Sequence, residues 1–492
     1  MHMRALFTAG ALVSAGVLLS RLLGLLREML LAGRYGVGPH ADMAIALLLI
    51  PDFITGALAG SSFSATLIPL FSVRSKDEAR LLFLQALALA LGVFTLIALT
   101  VACNGASVAG FVTKDASLAT AMSAGLLIVL ATVPLTAASA VIVAYLQYLG
   151  KFMIPAFANA IFNAVIVLLL WLLPAELTML AASIFFGVLA RLLSGLYAFY
   201  RANGKIAFAL CPWQITRPMA RNYLTTMSTD ICNLFPQFAP YYVIALAGSG
   251  LAVFNYAFRL SLLPAMLGFN VAQMVLLPWF ARLVASPVGG KGEFSVTLQC
   301  SWAFCLAVCL SLTLASRDVA EICFHYGKMT PDDIDRIGRL FALGVWSMAP
   351  IMLSGVWQQM LYAHARPRMP FLASLLQAVA ILPLCWTGNR LWGMEGIMAA
   401  YASLQWIAVA MLSREAHKMG IISRYLPAKE YGIMAGVALA VWLPCRIVFQ
   451  SMALAPWLKI LVAMAIGMLL LLSALIICEP VRRRLMKQVT TP

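Results

Sequence analysis

Arg21 and Arg27 lie in one long apolar stretch and Arg259 in another. A guanidinium near the centre of a bilayer costs about 2.5–3.5 kcal/mol on insertion scales, so a chain that keeps several at that depth has a use for them. The chemistry such groups offer is capture of an anion by charge-assisted hydrogen bonds, for which the planar guanidinium fork suits phosphate and carboxylate. The first stretch reads Ser20-Arg21-Leu-Leu-Gly24-Leu-Leu-Arg27-Glu28. On a helix Arg21, Gly24 and Glu28 share one stripe and Arg27 the neighbouring one, so both arginines are expected to reach a single cationic cavity. Gly24 leaves room for another helix or a ligand to approach. Arg259, in Tyr256-Ala-Phe-Arg259-Leu, has no acid three or four residues away, so it requires an acid from another helix or a charged ligand. Arg191 also falls at membrane depth and is expected to be structural.

The acids are fewer, and they serve as supporting or coupling candidates. Asp42 follows Gly36-Val-Gly-Pro-His-Ala at the start of an apolar run, where it suits a helix N-terminus. Asp52 follows Pro51, a kink site, and Asp230 precedes Asn233 by about one turn. Pro236 and Pro240 are expected to break the helix that carries Asp230 and to free backbone carbonyls. A carboxylate, an amide and free carbonyls can hold Na⁺ or a proton, but the chain offers little beyond Gln377 to complete such a site. The ten cysteines stand singly with no C-x-x-C, and Cys305 and Cys309, one turn apart, read as packing residues. The five histidines form no cluster. No metal site and no cofactor are expected. Nucleophile elbow, Walker sequence, H-E-x-x-H and glycine-rich phosphate loop are all missing, so no catalytic residue is assigned and the work is expected to be vectorial.

The elements that must position these groups are membrane helices. The chain is 63% hydrophobic and 11% charged over 492 residues, a balance no soluble domain of this size tolerates on its surface. Fourteen apolar runs long enough to cross the bilayer recur, near 5–32, 41–71, 80–104, 119–148, 154–174, 177–202, 222–247, 250–281, 295–315, 337–363, 369–388, 394–416, 430–450 and 455–478. The first is too long for a signal-peptide core and reads as a retained helix. Arg74, Lys76, Arg80, Lys151, Arg201, Lys205, Arg217, Arg221, Arg366 and Arg368 all fall in loops on one side, with Arg482, Arg483, Arg484 and Lys487 in the tail. The other side is poor in basic residues apart from the mixed-charge stretch Arg317–Arg339, so the positive-inside rule makes both termini cytoplasmic. The net charge of +16 therefore reflects loop topology and contact with anionic membrane lipids rather than nucleic acid.

A weak duplication organises the runs. Thr66-Leu-Ile-Pro-Leu-Phe71 matches Val275-Leu-Leu-Pro-Trp-Phe280, and the Lys151 and Pro155 junction matches that of Arg366 and Pro370 at a nearly equal offset. The fold class expected is an all-α polytopic membrane protein of about fourteen helices. Two pseudo-symmetric six-helix lobes would occupy 1–210 and 211–420, with two further helices and a basic tail in 421–492.

Taken in order, Ser20-Arg21-x-x-Gly24-x-x-Arg27-Glu28, Tyr35-Gly36-x-Gly38-x-x-x-Asp42, Phe63-Ser64-x-x-x-x-Pro69, Tyr256-x-x-Arg259-Leu-x-x-x-Pro264 with Leu277-Pro278, and Tyr326-Gly327-Lys328 resemble the MurJ (MviN) family. These are bacterial lipid II flippases of the multidrug/oligosaccharidyl-lipid/polysaccharide exporter superfamily. The resemblance implies fourteen helices, a central cavity lined by Arg21, Arg27 and Arg259, and a groove for a polyprenyl tail on the last two helices. It also implies a bacterial inner-membrane protein of cell-wall synthesis, with lipid II as ligand and cell-wall enzymes as partners. Two departures stand out: Thr55, Gly56 and Gly60 replace an arginine pair and a glutamate common in the family, and Glu28 replaces the more usual Asp.

The expected function is therefore alternating-access flipping of a polyprenyl-pyrophosphate-linked peptidoglycan precursor, without enzymatic chemistry. Rival readings are a flippase for another polyprenyl-linked glycan, such as an exopolysaccharide or O-antigen unit, a cation-coupled drug exporter, and a membrane scaffold or defective transporter.

Overall fold

The computed structural model describes residues 2–59, 62–104, 116–203, 213–248, 250–285, 291–364, 366, 368–421, 428–452 and 454–477. Gly60, Lys205, Arg482, Arg483, Arg484 and Lys487 lie outside the described residues, as do the side chains of Thr55, Leu277 and Pro278. Each expected apolar run is mainly helical along its described length, the 119–148 run being interrupted at Ala131 and the 337–363 run by a 3-10 turn at Val345–Ser347, and no strand occurs among the described residues. Nine helices, among the described residues, are long and apolar enough to cross a membrane. The chain is an all-α polytopic membrane protein.

Two compact units divide the chain, Met1–Ala252 with Tyr326–Lys328, and Val253–His325 with Met329–Pro492. The first is built from α1 (His2–Tyr35), α2 (Pro39–Ala59), α3 (Ser62–Ser72), α4 (Lys76–Cys103), α5 (Ala116–Leu130), α6 (Thr132–Tyr148), α7 (Met153–Leu172), α8 (Leu177–Asn203) and α9 (Arg217–Ala247). Its helices begin where local chemistry lets them. At the start of α4 the Ser75 hydroxyl accepts from the Glu78 amide at 3.3 Å and the Glu78 carboxylate accepts from the Ser75 amide at 3.0 Å, so two donors without helical partners are satisfied reciprocally. Phe83 stacks on Phe199 at 4.7 Å and meets Tyr145 at the same distance, while Phe71 meets Tyr145 edge-on at 5.2 Å, which ties α3, α4, α6 and α8 together.

The run expected over 41–71 is divided between α2 and α3. A second difference concerns Pro236 and Pro240: α9 runs through both without the expected break. Each proline removes one backbone hydrogen bond, but in a bilayer an open turn would expose many more groups, so continuing the helix is the smaller loss. By packing, α9 belongs to the first unit although the sequence repeat divides at 210/211. Ser62 donates to Asp230 at 2.6 Å, and Phe53 meets Phe238 edge-on at 5.0 Å.

The second unit contains α10 (Leu251–Ala285) from Val253 onward, α11 (Lys291–Leu314), α12 (Ser316–Phe324), α13 (Pro331–Gly344), α14 (Met348–Ala363), α15 (Arg368–Lys418), α16 (Ala428–Ser451) and α17 (Pro456–Ile477). α15 is two antiparallel arms joined without a spacer. Trp392 and Gly393 leave helical geometry, Gly393 at φ +60°, and Gln377 on one arm donates to Gln405 on the other at 3.1 Å. Gly388 and Gly396 let the arms touch, since a Cβ on Gly396 would lie 2.0 Å from the Gly388 carbonyl oxygen. The indoles of Trp302 and Trp442 donate to the Tyr431 and Leu310 carbonyls at 3.2 and 2.9 Å, pinning α16 to α11. Lys459 on α17 pairs with Asp318 on α12 at 3.7 Å. Cys305 and Cys309 are buried, and Cys309 donates to the Val345 carbonyl at 3.3 Å.

Candidate functional site

In the first unit the arginines are organised by a parallel pair, α1 and α7. A Cβ on Gly16 would lie 2.6 Å from the Ala156 carbonyl oxygen, Gly24 faces the Asn163 amide, and Arg34 donates to the carbonyls of Leu173 and, at 2.9 Å, Trp171. The partners advance together along both helices. Small residues admit the close approach, and Arg34 places a cation on the otherwise unsatisfied carbonyls at the end of α7.

Midway along this pair Arg27 is 5% exposed and Glu28 3%. Arg27 Nη2 donates to Glu28 Oε1 at 2.9 Å and Nη1 to Asn163 Oδ1 at 3.2 Å. Asn163 Nδ2 donates in turn to the Ser20 carbonyl at 3.2 Å. A buried ion pair of this kind is sustained only when further hydrogen bonds fill the remaining valences, and here Asn163 supplies one. The Arg27 Nε–H is buried without an acceptor. It can therefore serve an oxyanion that enters the site.

Arg21 is exposed, and its separation of six positions from Arg27 corresponds to about 9 Å of helix axis. The two arginines thus occupy different environments, one open and one locked against α7. Arg259 belongs to the second unit, where it is half-buried on α10. Its neighbours there are fixed by aromatic pairs, Tyr256 with Phe324 at 5.3 Å and Phe258 with Tyr401 at 4.8 Å.

Asp42 is buried and caps a helix other than its own. Its carboxylate accepts from the amides of Gly250 at 2.9 Å and Ala252 at 2.7 Å, at the start of α10. Asp52 is the acid that acts electrostatically on Arg191, which donates to Asn159 at 3.4 Å and lies 5.5 Å from the Phe162 ring centroid. Asp230 accepts from Ser62, and Asn233, about one turn on, is exposed. Gly56 takes up a packing position: a Cβ there would lie 2.9 Å from a terminal methyl of Leu234 on α9, so a larger residue requires that side chain to move.

Asn159 and Asn163 were not singled out from the sequence. They stand one turn apart on α7, one bound to an arginine of α8 and the other to an arginine of α1. The available signal was a pair of carboxamides at helical spacing within the 154–174 run, where polar side chains seek partners on other helices.

The sequence matches the family described as Lipid II flippase MurJ over residues 31–474. A protein from Vibrio cholerae described as "Probable lipid II flippase MurJ" is 23% identical over 491 residues, covering 93% of this chain and 91% of that protein. One from Aquifex aeolicus with the same description is 22% identical over 394 residues, covering 77% of each. Among solved structures, "Lipid II flippase MurJ, inward closed conformation" superposes with a TM-score of 0.79 at 15% identity, covering 95% of this chain and 98% of that one. An inward-facing multidrug resistance MATE family transporter of the MOP superfamily gives 0.67 at 14% identity, covering 82% and 94%, so the fold is shared with transporters of another cargo. With the family match extending over most of its length, this chain belongs to the Lipid II flippase MurJ family.

Proposed function

We propose that this chain moves lipid II, a polyprenyl-pyrophosphate-linked peptidoglycan precursor, from the cytoplasmic to the outer leaflet of the bacterial inner membrane by alternating access. The observation that carries the reading is Arg27, buried in a membrane helix, fixed through both Nη atoms and holding one donor without an acceptor, in a chain of this family. Arg27 binds a pyrophosphate oxygen, and Arg21 and Arg259 contribute the further positive charge that a pyrophosphate requires. Gly24 keeps the site open to the ligand, and Glu28 offsets the charge of Arg27 when the site is empty. Asp42, Asp52, Asp230 and Asn233 act in support, Asp42 through its hold on the α10 amides. No bond is made or broken.

Two lobes, 1–210 and 211–420, rock in alternation, and the polyprenyl tail lies along α16 and α17. Both termini face the cytoplasm. An inside-negative potential, worth about 2.3 kcal/mol per charge per 100 mV, drives the loaded anion outward and returns the empty cationic site inward. Cell-wall synthesis enzymes supply and consume the lipid.

The test is complementation of cells depleted of their own lipid II flippase, scored by accessibility of lipid II on the outer leaflet. Rescue by this chain that is lost with Arg21→Ala or Arg259→Ala supports the reading. Failure of the folded, membrane-inserted protein to rescue overturns it in favour of another polyprenyl-linked glycan as cargo.

A further inference from the structure

We propose that Asn163 is a positioning residue for substrate capture, because its carboxamide bridges the Ser20 carbonyl and the Arg27 guanidinium across the face of α1 that Gly24 leaves open. The inference rests on the reading of Arg27 as a ligand for the pyrophosphate.

The bridge is directional. Nδ2 donates to the Ser20 carbonyl at 3.2 Å and Oδ1 accepts from Arg27 Nη1 at 3.2 Å. The opposite flip would set an amide N–H against a guanidinium N–H and an amide oxygen against a carbonyl oxygen, so the two contacts fix one orientation between them. Gly24 stands between the two anchor points, and a Cβ at that position would lie 3.7 Å from Asn163 Nδ2. A larger side chain would wedge the amide away.

An arginine side chain has many rotamers, and one contact to the adjacent Glu28 leaves the guanidinium plane able to turn. The second contact, from another helix, fixes that plane. With Nη1 engaged by Asn163 and Nη2 by Glu28, the Nε–H is the buried donor left without an acceptor. Asn163 thereby determines which edge of Arg27 meets the incoming oxyanion, while adding no charge of its own. A carboxylate here would hold the guanidinium equally well but would compete with the ligand for it.

The experiment measures binding of undecaprenyl pyrophosphate to the full chain in nanodiscs at neutral pH, for the wild type, Asn163→Ala, Arg27→Ala, the double variant and Asn163→Asp. Asn163→Ala should weaken binding about tenfold, the scale of one hydrogen bond to a charged group. In the Arg27→Ala background the same change should add nothing, because Asn163 acts through Arg27. Asn163→Asp should bind more weakly than Asn163→Ala at neutral pH, since an ionised carboxylate offers the Ser20 carbonyl no donor and competes with the ligand for Arg27. Wild-type affinity in Asn163→Ala, a loss that adds in full to that of Arg27→Ala, or wild-type affinity in Asn163→Asp would each overturn the role of Asn163. Wild-type affinity in Arg27→Ala would instead overturn the underlying assignment of Arg27, and the proposal with it.

Discussion

Replacing Gly327 with alanine should release the tripeptide Tyr326–Lys328 from the end of α1. Gly327 sits at φ +67°, and a Cβ there would lie 2.1 Å from the Gly33 carbonyl oxygen. The contact is reciprocal, since a Cβ on Gly33 would lie 2.4 Å from the Tyr326 ring. The Lys328 amide donates to the Gly33 carbonyl at 2.9 Å and so satisfies one of the last carbonyls of α1. Alanine carries a left-handed backbone penalty of about 1–2 kcal/mol, and a 2.1 Å contact with a backbone oxygen cannot be relieved by a rotamer change. The strain falls on the docked state alone, so docking weakens by at least that amount, which corresponds to about 5–30-fold in its equilibrium. Hydrogen exchange read by mass spectrometry on peptides covering Lys328 reports this directly, because its amide is protected only while docked. Exchange should accelerate by about 5–30-fold on the same conversion, with protection of the α7 amides unchanged. Unchanged protection at Lys328 would refute the argument that Gly33 and Gly327 are glycines because two backbones meet there.

Other changes follow from the same geometry. Asp42→Ala removes the acceptor for two amides at the start of α10 and should cost about 1–2 kcal/mol, seen as a lower melting temperature in detergent, with Asp42→Asn losing less. Gly396→Val should force the arms of α15 apart, since even a Cβ meets the opposite carbonyl at 2.0 Å. The expected result is loss of the monodisperse peak in fluorescence-detected size exclusion, while Gly432→Ala, which meets nothing within 4 Å, leaves it intact. Burial raises the Asp318 carboxyl above the ordinary carboxylate value and Lys459 lowers it only in part, so protonation is easier in the fold than in the unfolded chain. Stability from this group is therefore greatest below its unfolded pKa and is lost as pH rises through the raised one, and Asp318→Asn should flatten that slope in acid-range melting curves.

Hydropathy located the helices because length and apolar composition are local properties. The turn inside α15 was legible as a gap between two runs, as Gly393 and the charged Arg390 and Glu395 interrupt the apolar pattern. The unbroken course of α9 was not, because proline propensities measured in water overstate the cost of proline where the alternative is unsatisfied backbone in lipid. Arg27 was legible as an unusual charge, but its environment was not. The Asn163 that fixes it lies 136 residues away, and no periodicity within either helix reports such a pairing. Asp42 shows the same limit: its place in the first turn of its own helix was legible, but the reach of its carboxylate to amides more than 200 residues along the chain was not. The departure at Gly56 reads from sequence as missing charge and from structure as the contact surface for Leu234.

Translocation of labelled lipid II by the purified chain in proteoliposomes, compared with Arg27→Ala in the same membranes, tests the central claim most directly. The wild type should flip the lipid faster when the potential favours outward movement of the anion, and a folded Arg27→Ala variant should not flip it. Lipid II movement at the wild-type rate in Arg27→Ala would contradict that claim.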